Sequence, residues 1–264
     1  ALGGSGGMGR FAVYSLINHK AVKKIYIADL NGSSAKEFAS NFDDRVEGLE
    51  LDITNNEALI NEMSKVDIVV NTTGPFFKFG LPILKAAIDT NTHYFDICDD
   101  WEPTEKMLLL NNDERSSEIT GIIGLGASPG LTNILAYLAI LELDEVSKVY
   151  TGWDISGAKP EDKSSQKGVN AAMVHGIQQV IGYVKVFNNG KYEMVRPLKE
   201  VMVNYPEIGE KKANIFGHPE AVSFPYHYPN IKVSLNLMHG GEKGIVGILK
   251  FIRLLIEIKL ISKN

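Results

Sequence analysis

Gly4-Ser5-Gly6-Gly7-Met8-Gly9 has the spacing G-x-G-x-x-G, a pattern suited to holding a pyrophosphate. Each glycine has its own job. Gly4 permits a tight turn, Gly6 lets backbone approach the phosphates, and Gly9 lets a helix pack closely on its strand. Ser5, Gly7 and Met8 complete the turn, and the first amides of the following helix face the anion. The apolar run Ile25-Tyr26-Ile27-Ala28 then ends on Asp29, 20 residues after Gly9. A carboxylate at that spacing accepts hydrogen bonds from a ribose diol and repels a 2′-phosphate, so NAD is the expected cofactor. After Asp29 no Lys or Arg occurs until Lys36, which leaves NADP open but without an evident partner.

Four later segments could hold the rest of the cofactor or work on a substrate. Asp52, beside Ile53, either bonds an adenine amine or caps a turn. Thr72-Thr73-Gly74-Pro75 would pass near a nicotinamide ribose, with Phe76-Phe77 as its wall or as core. His93–Asp100 ends a strand with a thiol among three acids. Asp96 and Asp99 are the candidates for orienting an amine or passing its proton, and Cys98 for lining the pocket. His93, Asp96 and Cys98 lack the C-x-x-C or H-x-x-x-H spacing of a metal site, so no metal is expected. In Ser128-Pro129-Gly130-Leu131-Thr132-Asn133, Ser128 reads as an N-cap and Pro129 as a first-turn residue. The free amides there suit a substrate carboxylate, with Asn133 one turn in. His175 could bind a carboxylate or shuttle a proton, or be a partly buried histidine; His218 carries the same balance.

Positioning these residues takes alternating elements. Helical patterns cover 7–19, 33–42 (with Ser33 or Ser34 as N-cap), 55–63, 81–89, 104–117 and 131–141. Strand patterns cover 24–29, 45–51, 66–71, 93–97 and 121–125. That alternation predicts a doubly wound parallel sheet of Rossmann type, whose ligand edge lies beyond the strands' carboxyl ends. Gly4–Gly9, Asp29, Asp52, Thr72–Pro75, Asp96–Asp100 and Gly126–Gly130 all fall on that edge. The rhythm changes near Asp144: a strand pattern at 146–155, a polar loop at 157–167, a helix at 169–181, then strands at 184–187, 191–195, 201–203, 215–216 and 231–237. This reads as an α+β substrate domain with a mostly antiparallel sheet, Asn189-Gly190 making a hairpin turn. The expected division is 1–143, 144–240 and a terminal amphipathic helix in 241–264.

Composition excludes several classes. The 264 residues are 44% hydrophobic and 22% charged, ordinary for a globular protein. A net charge of −5 gives no basic footprint for nucleic acid. One cysteine allows no internal disulfide, which fits a cytoplasmic setting. Charges interrupt the apolar stretch 245–261, so a helix packed on protein is expected rather than a membrane span, and its apolar face is a candidate homodimer surface. Only three residues precede Gly4, and the helix at 245–261 runs nearly to the end; truncation at both ends is therefore expected.

The runs GGSGGMG, NTTGPF, HYFDICDD and GASPGLTN, in this order, resemble the saccharopine dehydrogenase-like oxidoreductases, a group with saccharopine reductases, lysine dehydrogenases and carboxynorspermidine dehydrogenases. The resemblance covers residues 1 to about 240, and 217–225 resembles a segment of the family's inserted domain. It implies a Rossmann domain and a second domain that closes over an amino-acid substrate, and it places the helix of His175 near the crevice. Family members usually carry a tail returning to the first domain, which is not found here. The implied activity is NAD(P)-dependent hydride transfer at a C–N bond of an amino acid or amine, through an imine. The alternatives are an NAD-using polyamine transferase of the homospermidine type and a non-catalytic NAD-binding sensor.

Overall fold

The structure, a computed structural model, describes residues 1–154, 176, 179–240 and 244–260, apart from the side chains of Glu114 and Ser117. The chain divides into two compact units, Ala1–Gly126 and Ala127–Asn264.

The first unit alternates α1 (Gly7–Ile17), β1 (Ile25–Asp29), α2 (Gly32–Ala39), β2 (Val46–Glu50), α3 (Asn56–Met63), β3 (Ile68–Asn71), α4 (Phe76–Asp89), β4 (His93–Asp96), α5 (Trp101–Leu109) and β5 (Gly121–Ile122). Every pairing is parallel: β1 with β2, β3 with β4, and β4 with β5. Leu2 joins the two halves by bridging Ala28 and Asn71, so the order is β2–β1–Leu2–β3–β4–β5. The bridge is held by Leu2 N to Val70 O at 2.9 Å, Ala28 N to Ala1 O at 2.9 Å and Thr72 N to Leu2 O at 3.0 Å. This is the doubly wound sheet read from the alternation.

Local chemistry sets the element ends. Asn31, rather than Ser33 or Ser34, caps α2 by accepting from Ser34 N at 3.0 Å. Asn55 caps α3 in the same way. The helix predicted over 104–117 starts earlier and stops at Leu109, followed by 3-10 turns at Leu110–Asn112 and Glu114–Glu118. Asp113 supplies the break by accepting from Arg115 N. One core gathers Leu59, Met63, Val69, Ile83, Leu84 and Tyr94; a second, around Ile27 and Phe38, anchors α1 and α2. Each such side chain contributes about 1.5–3 kcal/mol by leaving water.

The second unit contains α6 (Leu131–Leu141), β6 (Lys148–Asp154), β7 (Val184–Asn188), β8 (Lys191–Val195), β9 (Glu200–Tyr205), β10 (Gly209–Phe216), α7 (Glu220–His227), β11 (Val233–His239) and α8 (Ile245–Glu257). The strands form one six-stranded sheet. Along one edge β11 pairs parallel with β6. Its other edge is shared, antiparallel, by β7 at Ser234 and β10 at Asn236–Met238. Asn189 and Gly190, at φ 50° and 76°, turn β7 into β8 as the dipeptide predicts. The division at 126/127 falls earlier than the predicted 143/144 because α6 packs through Ala136 and Ile140 onto the cluster of Val149, Phe224 and Ile231. The loop at 157–167 and most of the helix at 169–181 lie outside the described residues, as does His175. Among the described residues no helix is long and apolar enough to cross a membrane.

Candidate functional site

In the first unit the glycine turn is locked to the end of β1. Ser5 Oγ donates to Asp29 Oδ2 at 2.6 Å, Ser5 N adds a longer bond of 3.3 Å, and Asn31 N donates to Asp29 Oδ1 at 3.1 Å. Asp29 thus has a fixed rotamer and stays half exposed. The left-handed residue of the turn is Gly3, at φ 66°, rather than Gly4, which instead packs under Ala1 O and Ile27. A Cβ on Gly9 would stand 2.3 Å from Gly3 O and 2.5 Å from Gly4 Cα, the close helix–strand approach expected of the third glycine. The first-turn amides at Gly7, Met8 and Gly9 have no intrahelical carbonyl to bond, and the exposed Gly6 and Gly7 leave space before them. Arg10, which the spacing argument passed over, reaches back to Ser5 O at 2.8 Å and lies 4.6 Å from the Phe38 ring.

Thr72 and Thr73 follow β3 beside this turn. Thr72 Oγ1 donates to Leu2 O at 2.8 Å, and Asn71 Oδ1 accepts from Thr73 N. Thr73 Oγ1 is buried with no hydrogen-bond partner among the described residues. Gly74-Pro75 leads into α4, with Phe76 in the core and Phe77 58% exposed. A dinucleotide fits these residues: the close packing at Gly9, the open amides of α1, the fixed and half-exposed carboxylate of Asp29, and the hydroxyl of Thr73, buried with no partner among the described residues. Asp52 accepts from Thr54 N and Oγ1 at 2.9 and 2.7 Å, which holds its carboxyl below the usual range. That is the turn-capping role; Ile53 packs, partly buried, on the core.

At the end of β4, Asp96 is buried. Its Oδ2 accepts from Tyr94 Oη at 2.7 Å, and its Oδ1 from Cys98 N at 3.0 Å and Gly124 N at 2.7 Å. Burial pushes its carboxyl up, and the charge of Asp99 adds to the shift. Asp96 therefore ties β4 to the segment after β5, while Asp99 is half exposed. Cys98, expected to line a pocket, is 0% exposed. Its Sγ lies 3.7 Å from Asp100 O and from Thr104 Oγ1, and burial pushes the thiol well up. It packs the start of α5 rather than a pocket. No metal-binding cluster occurs among the described residues.

The second unit holds a polar cluster that sequence reading only brushed. Gly130, at φ 117°, and not Ser128, is the N-cap of α6; Asn133 Oδ1 accepts from Gly130 N at 3.0 Å. Pro129 precedes the helix, and Leu131 begins it with an exposed side chain. Ser128 is released for other work: its Oγ lies 2.6 Å from Glu220 Oε1 and 3.0 Å from His218 Nδ1. Thr132 Oγ1 also donates to Glu220 Oε1, at 2.7 Å, and Asn133 Nδ2 donates to Ser223 Oγ at 3.2 Å. Glu220 is 1% exposed, and its Oε2 is buried with no hydrogen-bond partner among the described residues. Leaving such an oxygen unmade costs about 1–3 kcal/mol, a cost that marks sites kept for more than stability. The sequence signal for this cluster was the run Gly217–Pro225, whose helix α7 is disguised by Pro219 and Pro225.

Residues 1–121 match the family model described as saccharopine dehydrogenase NADP binding domain. Over 90 residues the chain is 32% identical to a Rattus norvegicus protein named saccharopine dehydrogenase-like oxidoreductase. Over 87 residues it is 33% identical to a Mus musculus protein of the same name. These matches take in 34% and 33% of this chain and 20% of each relative, so the chain spans about one fifth of the length of the relatives it matches. Among solved structures it resembles apo saccharopine dehydrogenase (L-Glu forming) from Saccharomyces cerevisiae, with a TM-score of 0.64 at 17% identity over 99% of this chain and 58% of that one. At that identity the likeness establishes the fold.

Proposed function

We propose that this chain, whose residues 1–121 match the saccharopine dehydrogenase NADP binding domain, is an oxidoreductase that moves a hydride between a nicotinamide cofactor and a C–N carbon of an amino acid or amine. When bound, NAD or NADP supplies the hydride acceptor or donor. The chain's own residues bind and orient. The α1 amides and the glycine turn would hold the pyrophosphate, and Asp29, fixed by Ser5, would take the adenosine ribose, favouring NAD. Thr72–Pro75 would flank the nicotinamide ribose.

The observation that carries the choice of a C–N bond is the carboxylate pair after β4. Asp96 has both oxygens occupied by Tyr94, Cys98 and Gly124, so it acts as a positioning residue. Asp99, half exposed next to it, would face a protonated amine. Ser128–Asn133 is reassigned in part: Asn133 and the backbone at Gly130 remain candidates for a substrate carboxylate, whereas Ser128 serves the Glu220 cluster.

The test is a panel of amino acids and polyamines incubated with NAD or NADP, read by the absorbance of the reduced nicotinamide and by thermal shift. Amine-dependent reduction is expected. Reduction with hydroxy acids and none with amines would overturn the C–N reading. A larger thermal shift with NADP than with NAD would overturn the role given to Asp29.

A further inference from the structure

We propose that Arg10 is a specificity-determining residue of the dinucleotide site: its guanidinium grips a 2′-phosphate, so that a site biased by Asp29 towards NAD also takes NADP. The inference rests on the reading above that the glycine turn holds a nicotinamide dinucleotide, and it concerns the first unit alone. The topology leaves one cation for this task. A 2′-phosphate hangs from the adenosine ribose beside Asp29, at the carboxyl end of β1. Residues 1–50 contain six cations: Arg10, Lys20, Lys23, Lys24, Lys36 and Arg45. Lys20, Lys23 and Lys24 come just before β1 and Arg45 just before β2, and these parallel strands start at the opposite edge of the sheet. Lys24 and Arg45 are also paired there with Glu47 and Asp43. Lys36 lies in the last turn of α2, which runs away from Asp29. Arg10, on the first turn of α1, stands at the ligand edge.

The Arg10 side chain is anchored at two points. Its Nε donates to Ser5 O at 2.8 Å, and its Cζ lies 4.6 Å from the centre of the Phe38 ring. Phe38 is buried and is itself wedged edge-on by Tyr14 at 5.5 Å and Phe42 at 5.2 Å. Ser5 in turn holds the Asp29 carboxylate through its N and Oγ. The guanidinium is therefore fixed one residue away from the carboxylate that meets the ribose. Arg10 is exposed, and its Nη1 and Nη2 have no hydrogen-bond or ion-pair partner among the described residues. The bond to Ser5 uses only the Nε donor, so the planar Nη pair is pre-oriented for two phosphate oxygens. The opposing charges on this edge are Asp29 and Glu50, whose side chain stands against Gly32 at the start of α2. They keep NAD favoured, and Arg10 offsets the repulsion they exert on the extra phosphate.

The test is fluorescence titration of the whole chain with NADH and with NADPH, in the absence of amine. The wild type is expected to bind both. Arg10→Gln is expected to lose NADPH affinity at least about tenfold, the worth of one charge-assisted fork, and NADH affinity by less than about threefold. Equal losses for the two nucleotides would overturn the proposal, because Arg10 would then only brace the turn. A wild type that binds NADH but not NADPH would overturn it too. If Arg10→Gln does not fold, Arg10→Lys decides. One ammonium cannot both hold Ser5 O and grip two phosphate oxygens, so NADPH must again lose more than NADH. A wild type that binds neither nucleotide overturns the cofactor reading and this inference with it, whereas an unchanged ratio of the two affinities in the variant overturns this inference alone.

Discussion

Tyr94→Phe isolates the polar core beneath β4. Tyr94 Oη accepts from Asn71 Nδ2 at 3.1 Å and donates to Asp96 Oδ2 at 2.7 Å, and all three residues are buried. Removing the hydroxyl changes little in volume but strands an amide hydrogen and a carboxylate oxygen. Each loss costs about 1–3 kcal/mol, the carboxylate at the upper end, so the variant should lose roughly 3–5 kcal/mol. The assay is urea unfolding of the first unit, followed by Trp101 fluorescence in a Trp153→Phe background, which leaves one tryptophan. The pH dependence has a definite sign. Burial raises the Asp96 carboxyl above its ordinary value, so its favourable contribution is full below the unfolded value and is lost as pH rises through the folded one. The Tyr94 bond works against that rise. Without it the folded value climbs further, and the deficit should be larger near neutrality than near about pH 4, where the carboxyl binds its proton. A loss below about 1 kcal/mol, or a deficit that grows on acidification, would refute the reasoning.

Three more outcomes are expected. Gly9→Ala must push α1 off Gly3 and Gly4, costing about 1–3 kcal/mol, and should weaken NADH binding at least about tenfold by fluorescence titration. Asp29→Ser removes the acceptor for Ser5 and the repulsion of a 2′-phosphate, so the ratio of NADPH to NADH affinity should rise; an unchanged ratio counts against its selector role. Cys98, buried with its thiol pushed up, should react with an aromatic disulfide at least about 100-fold more slowly in the native protein than in urea, and should stay protected up to about pH 9.

The two units were not equally legible. In the first, apolar runs such as Ile68–Asn71 and the glycine–acid spacing are local signals, and local hydrogen bonds honour them. Where the reading slipped, a nearby side chain or a φ angle decided. Asn31 outcompeted Ser33 and Ser34 for the cap of α2, and Gly130 took the cap expected of Ser128. Cys98 illustrates a different limit: its place in an acidic run says nothing about the helix start that covers it. In the second unit the signals are long-range. The exposed run Gly209–Lys212 hid most of β10, and nothing near Glu220 announces partners on α6 and β11.

The distance along the chain between Ser128 and Asn236, 108 residues, has a consequence for synthesis. At about 5–20 residues per second, Ser128 and Thr132 leave the ribosome roughly 5–20 s before the strand that completes their cluster. Throughout that interval Ala136 and Ile140 of α6 lack the cover of Phe224 and Ile231, and the hydroxyls of Ser128 and Thr132 lack Glu220. We expect a holding chaperone to bind the nascent chain in this state, and crosslinks to it from Ala136 and Ile140 to fall once Phe224 and Ile231 have emerged to cover them.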